Sequence, residues 1–228
     1  MDTEDRSSNF PIWLIGDSPP KNWHVKLKVP LDSRHPARHN IWTPVLDMIQ
    51  QTVFRDGLRL DSERLYVRNA VDSPDLIDPD RVQWNWDDLA PAVTKLGDLL
   101  ADNRPRLVLS FGAFACEMVC RARRKGLAVR CDDRAVSGWT TRELGATFRQ
   151  AVRQFDPSGV NHLPLLHVSI ARRHFLSAHN HFCLTSDDKE PNYFKYVGSE
   201  LGELLLKYMK DEPIWLRPGR SATEPAPK

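Results

Sequence analysis

The chain has 228 residues, 41% of them hydrophobic and 27% charged, which is enough for one α/β domain whose core needs neither disulfides nor metals to fold. Its 32 Lys+Arg against 30 Asp+Glu leave a formal net charge of +2, which excludes a wholly basic nucleic-acid-coating protein and an acidic, disordered tail protein. That balance hides an asymmetry, since residues 61–103 carry ten acids and four bases (net −6) and residues 104–153 carry eleven bases and four acids (net +7).

The acidic, polar start of the chain has no targeting pattern, and no run is long enough to span a bilayer, so a cytoplasmic protein is expected. Ile12-Trp13-Leu14-Ile15 is a short continuous apolar run ending on Gly16-Asp17-Ser18-Pro19-Pro20, the pattern of a buried strand meeting a tight loop. The loop, rich in Pro, His and Arg, continues to about residue 42. Thr43-Pro44 then opens a helix with Val45, Leu46, Ile49 and Val53 on one face. Leu65-Tyr66-Val67 reads as a strand ending at Asn69, followed by an acidic Asp/Pro-rich loop and a helix from about Asp88 with Leu89, Val93, Leu96, Leu99 and Leu100 inward.

Leu107 to Phe111 is the third strand, and Gly112 opens a helix that ends in Arg121, Arg123, Arg124, Lys125 and Gly126, with cations near its C-terminal dipole. Residues 128–131 are a candidate short strand, and Leu144, Phe148, Ala151 and Phe155 mark another helix. Leu163 to His167 is the fourth core strand, followed by a loop rich in His and Arg. Tyr193, Tyr196, Val197, Leu201, Leu204, Leu205 and Tyr208 form an amphipathic terminal helix. Strands alternating with helices predict a single-domain, three-layer α/β/α fold with a central four-stranded parallel sheet over residues 10–210, between a flexible start (1–9) and a flexible tail (211–228).

Ligands of such sheets bind beyond the carboxyl ends of the strands. Those ends carry Asp17, Asn69 and His167, a carboxylate that deprotonates water, an amide that reads a heterocycle edge, and an imidazole that stabilises a developing oxyanion. Together they fit hydrolysis at a nucleobase. Each also has a structural alternative: a turn cap for Asp17, satisfaction of backbone groups for Asn69, and a hydrogen-bonded core histidine for His167. No Walker loop or G-x-G-x-x-G is present. Cys116, Cys120, Cys131 and Cys183 lack metal-cluster spacing and read as reduced packing residues. His174, His179 and His181 fit packing or phosphate contact better than a metal, so neither a metal nor any other cofactor is expected.

Four segments, Gly16-Asp17-Ser18-Pro19-Pro20, Arg64 to Val71, Arg104 to Ala115 and Leu163 to Ser169, resemble in that order the motifs of the uracil-DNA glycosylase superfamily, over residues 10 to about 182. The first is similar to the branch with a Gly-Glu-Ala-Pro-Gly loop. The resemblance implies a glycosylase-like fold and a monofunctional DNA glycosylase that hydrolyses the N-glycosidic bond of a flipped pyrimidine and leaves an abasic site. It makes Asp17 the water-activating residue, Asn69 the reader of the base edge, and His167 the hydrogen-bond donor to the pyrimidine O2. Stacking candidates are Trp23, His39 and Trp42. Phosphate-clamp candidates are Ser18, Ser169, Arg172, Arg173 and the basic cluster of Arg123, Arg124 and Lys125, although such a cluster also suits a solvated helix end.

The chain departs from the family in three places. Val168 stands where the His-Pro-Ser motif has proline, and the iron–sulfur cysteine spacing of the nearest branch is missing. Pro20 occupies the slot where the uracil-specific branch has a tyrosine against the base's C5 side. The last difference implies room for a C5-modified pyrimidine, such as the hypermodified cytosines of phage DNA, and hence a role in repair or in phage defence. No lysine is placed for Schiff-base chemistry. A monomer with DNA as its partner and no obligatory protein partner is expected. The competing readings are a catalytically silent nucleic-acid-binding relative and a small-molecule nucleoside hydrolase.

Overall fold

The computed structural model describes residues 10–19, 43–61, 64–77, 84–124, 139–172, 176–184, 192–208 and 216–218. Its centre is a sheet of four parallel strands, β1 (Ile12–Gly16), β3 (Leu65–Asn69), β4 (Leu107–Phe111) and β5 (Asn161–Leu165), in the order β3-β1-β4-β5. The continuous apolar run of β1 follows from this position. Side chains alternate across the sheet, and both faces are covered. Ile12 and Leu14 enter one core cluster while Trp13 and Ile15 enter the other, and all four are essentially buried.

Helices α2 (Trp86–Asn103) and α3 (Ala113–Arg124) cover the Trp13 face through Leu89, Val93, Leu96, Leu100, Met118 and Val119. The Leu14 face is covered by α1 (Thr43–Phe54), α4 (Thr141–Arg153), α6 (Leu176–Cys183) and α7 (Tyr193–Tyr208). The layers are thus α/β/α, as the alternating pattern predicts. Helix α7 packs closely on α1 because Gly198 and Gly202 present no side chain to Met48 and Thr52, where a Cβ would collide. Cys116, Cys120 and Cys183 are buried free thiols, and burial pushes Cys183 up to about 11. No helix among the described residues is long and apolar enough to cross a membrane.

Several expectations shift. Helix α2 starts at Trp86, two residues before Asp88, because the Asn85 side chain caps it by accepting from the Asp87 N–H at 3.2 Å. The fourth strand ends at Leu165, so His167 lies in the turn beyond it. The His/Arg-rich segment after it contains α5 (Val168–Arg172) and α6, helices too short to display a clear apolar period. Within the tail, β6 (Leu216–Pro218) pairs antiparallel with β2 (Leu58–Leu60). Gln50 secures β2 by donating to the Leu58 carbonyl and accepting from the Leu60 N–H. Three-residue strands carry no alternation that a sequence pattern can register. The candidate strand at 128–131, with Cys131, lies outside the described residues.

Candidate active site

At the carboxyl end of β1 the chain leaves the sheet into the Asp17 turn. The backbone of this turn is fixed from β3: the Ala70 N–H donates to the Gly16 carbonyl at 2.8 Å and the Val71 N–H to the Asp17 carbonyl at 3.2 Å. Asp17 Oδ1 accepts a hydrogen bond from the Ala115 N–H at 3.1 Å, in the first turn of α3. Such amides have no partner within their own helix, so a carboxylate is well placed to satisfy one. The bond reaches a helix 98 residues along the chain, where a cap of its own turn was the alternative, and it occupies one of the two carboxylate oxygens.

The other oxygen faces His167. Oδ2 lies 3.7 Å from Nε2, within ion-pair range and beyond a hydrogen bond, and the two side chains retain 26% and 32% exposure, respectively. Burial pushes the Asp17 carboxyl up to about 6, against the opposing influence of His167 and the Ala115 N–H. A carboxylate so placed is ionised at neutral pH but held at an elevated free energy, which suits a general base.

His167 is positioned by three backbone constraints. Its carbonyl accepts from the Ile170 and Ala171 N–H groups at 3.0 and 2.9 Å, which anchors α5. The Gly112 N–H donates to the Leu165 carbonyl at 2.9 Å, drawing the β4–α3 turn against the end of β5. Gly112 has φ +98°, and a Cβ there would sit 2.9 Å from His167 Cβ, so both its conformation and its closeness require glycine. Ser169 completes the arrangement, with Oγ 2.7 Å from His167 Nδ1 and its backbone N–H donating to the same nitrogen at 3.3 Å. A nitrogen that accepts an N–H bond carries no proton in the neutral ring, which places the proton on Nε2, the atom facing Asp17.

Asp17, His167 and Ser169 are thus brought together, although Ser169 serves His167 where a phosphate contact was expected. Asn69 ends β3 in register with Gly16, one residue before Asp17, and Ser18 follows Asp17 in the half-buried turn. The Asn69 carbonyl accepts from Arg68 Nε at 3.1 Å. Arg172 ends α5. Trp23, His39, Trp42, Arg173 and Lys125 lie outside the described residues, as do Pro20 and His174.

The described part of the basic cluster, Arg123 and Arg124, lies at the other end of the sheet. A helix that follows a parallel strand runs back along the sheet, so the end of α3 returns toward the start of β5 and away from the carboxyl ends. Arg123 is 3% exposed and donates to the Val160 carbonyl, immediately before β5. Arg124 is exposed but shares that end, about 14 Å of helix rise from Ala115. Neither is placed to clamp a strand at the Asp17–His167 mouth.

The residues that sequence reasoning missed are Gly112 and the Ala115 amide. Both lie in the Phe111-Gly112-Ala113-Phe114-Ala115 segment, where a glycine between a strand and a helix signals a close backbone approach. No protein-family model matches the chain, and no curated protein is significantly similar to it.

Proposed function

We propose that the protein is a cofactor-independent, monofunctional DNA glycosylase acting on a flipped pyrimidine, uracil or a C5-substituted base, and that Asp17 and His167 carry the chemistry. The observation that supports this reading most directly is the pairing itself. A desolvated carboxylate has one oxygen committed to Ala115, and the other faces the protonated nitrogen of a histidine at the carboxyl end of a parallel sheet.

In this reaction the C1′–N1 bond breaks and its electron pair leaves with the base, giving an anionic pyrimidine and a sugar with oxocarbenium character. Asp17 stabilises that cation and accepts a proton from the water whose oxygen bonds to C1′. His167 Nε2–H donates to the pyrimidine O2 as negative charge grows there, and Asp17 gives the proton taken from water back to solvent, from which the departing base takes one up, so that the enzyme is regenerated. Asn69, one residue from Asp17 in the strand register, is the reader of the base edge. Extrusion of the base costs a few kcal/mol, which contacts to the flanking strand must offset.

The test is mass spectrometry of free bases released from DNAs carrying ordinary, deaminated and C5-substituted pyrimidines. Release of a pyrimidine, leaving an abasic site in an otherwise intact strand, is expected. Release of no base from any of these DNAs would overturn the reading in favour of a silent nucleic-acid-binding protein.

A further inference from the structure

The position of His167 depends on a side chain that belongs to another layer of the fold. Strand β5 ends at Leu165, so the Leu166 N–H is the first amide beyond the sheet ladder, and Leu166 is only 1% exposed. A buried amide without a partner is strongly disfavoured. The partner here is the Tyr193 hydroxyl at the start of α7, whose oxygen accepts from the Leu166 N–H at 2.9 Å.

The Tyr193 ring is itself fixed. It is 1% exposed, stacks on His179 with centroids 5.6 Å apart, and meets Phe182 and Phe194 edge-on at 5.0 and 5.3 Å. His179 reaches the same segment from its other end, with Nε2 3.1 Å from the Ala171 carbonyl in α5. Leu166 and Ala171 flank the stretch that carries His167 and Ser169. Two stacked rings from α6 and α7 therefore hold both ends of the segment that aims the imidazole.

We propose that Tyr193 is a positioning residue for His167, with His179 as its auxiliary, so that the orientation of the imidazole is set by the α6–α7 layer as well as by the sheet. The orientation bears on base release only under the glycosylase reading above, whereas the positioning itself is readable without any activity. A shift of about 1 Å in a group that must meet the transition state is enough to slow a reaction by an order of magnitude or more.

Tyr193→Phe keeps the ring and its stacking and removes one oxygen. In the folded variant, hydrogen exchange at the Leu166 amide should accelerate about tenfold or more, and the ring ¹⁵N signals of His167 should move away from a single Nε2–H form. Single-turnover base release should fall about tenfold while the Kd for DNA stays within about twofold. Leu166 exchange and His167 signals identical to those of the wild type would overturn the proposal, as would a loss confined to DNA affinity.

If Tyr193→Phe does not fold, His179→Phe provides the same reading, since it retains a stacked ring and deletes the contact to Ala171. Altered His167 signals there support the proposal and unaltered ones overturn it. Failure of the wild type to release any base would instead remove the glycosylase reading, and the exchange and ¹⁵N measurements would still decide the positioning role.

Discussion

Two carboxylates are associated with helix α3, and their surroundings teach opposite lessons. Glu117, within the helix, has a side chain only 4% exposed, yet both its oxygens are matched: Arg121 Nε donates to Oε1 at 2.7 Å and Trp139 Nε1 to Oε2 at 2.9 Å. Arg121 in turn lies over the Trp86 ring, 3.8 Å from its centroid. Asp17, at the helix N-terminus, is less enclosed, but among the described residues only one of its oxygens has a hydrogen-bond donor, and the other faces a histidine across a gap too long for a hydrogen bond. A saturated buried carboxylate joins elements together. One with an oxygen left open, and destabilised by its surroundings, retains free energy that a reaction can use.

The two histidines of the β5 region repeat the contrast. His162 is 8% exposed, with Nε2 2.7 Å from Ser110 Oγ and Nδ1 3.9 Å from Cys120 Sγ, and Ser110 is wholly buried. His167, with its side chain 32% exposed, turns Nε2 toward Asp17 and uses Nδ1 for Ser169. The first serves the core, and the second is the partner of Asp17 at the carboxyl end of the sheet.

The largest effect expected to test this contrast comes from Asp17→Asn. Base release should fall about 10³-fold while DNA binding persists, because the amide preserves the acceptor for Ala115 but cannot take a proton. The same substitution should stabilise the fold at alkaline pH. The folded chain holds the Asp17 proton up to about 6, whereas the ordinary value is 3.8. The ionised group therefore costs stability above pH 6, the cost arises between 3.8 and 6, and it vanishes below 3.8. Thermal unfolding should show Asp17→Asn ahead by on the order of 2 kcal/mol at pH 8 and level at pH 3.5. A variant no more stable than the wild type at pH 8 would contradict the view of Asp17 as a strained group.

Next in size is the acid limb of the rate profile. Base release should decline about tenfold per pH unit below an inflection near 6, measured on single turnovers so that DNA binding does not mask it. An inflection near 4 would mean that Asp17 behaves as an ordinary surface carboxylate.

Glu117→Ala should do the reverse of Asp17→Asn. Unfolding should become easier by about 2 kcal/mol, since Arg121 and Trp139 lose their acceptor, while the rate per folded molecule stays unchanged. A rate that falls with the Tm held constant would place Glu117 in the chemistry. The smallest effect is expected from Arg124→Glu at the far end of α3, where DNA affinity should change less than about twofold and its salt slope should not move. A loss of ten-fold or more would restore the basic cluster as a DNA contact.

Where the sequence was legible, a single local period was enough. The strands ending at Gly16 and Phe111 were visible because a strand buried on both faces reads as a short, largely apolar run, and the edge strand ending at Asn69 through its Leu65-Tyr66-Val67 start. The α7 stripe was visible because sixteen residues of helix repeat the period several times. Asp17 and His167 stood out because strand ends are where such folds place ligands. The charge asymmetry is coarser than the structure, since the net +7 stretch includes α3, whose basic end returns to the side of the sheet opposite Asp17 and His167, and Arg123, which is buried.

The sequence by itself thus determined the alternation of strands and helices, the layered α/β class, and the chemical types gathered at the strand ends, because each depends on residues near one another along the chain. The tertiary structure alone decided that Asp17 commits one oxygen to Ala115, 98 residues along the chain, and that Tyr193, 27 residues from Leu166, completes the backbone beside the imidazole. Those outcomes rest on hydrogen bonds between distant segments, whose partners become definite only when burial removes water as the alternative.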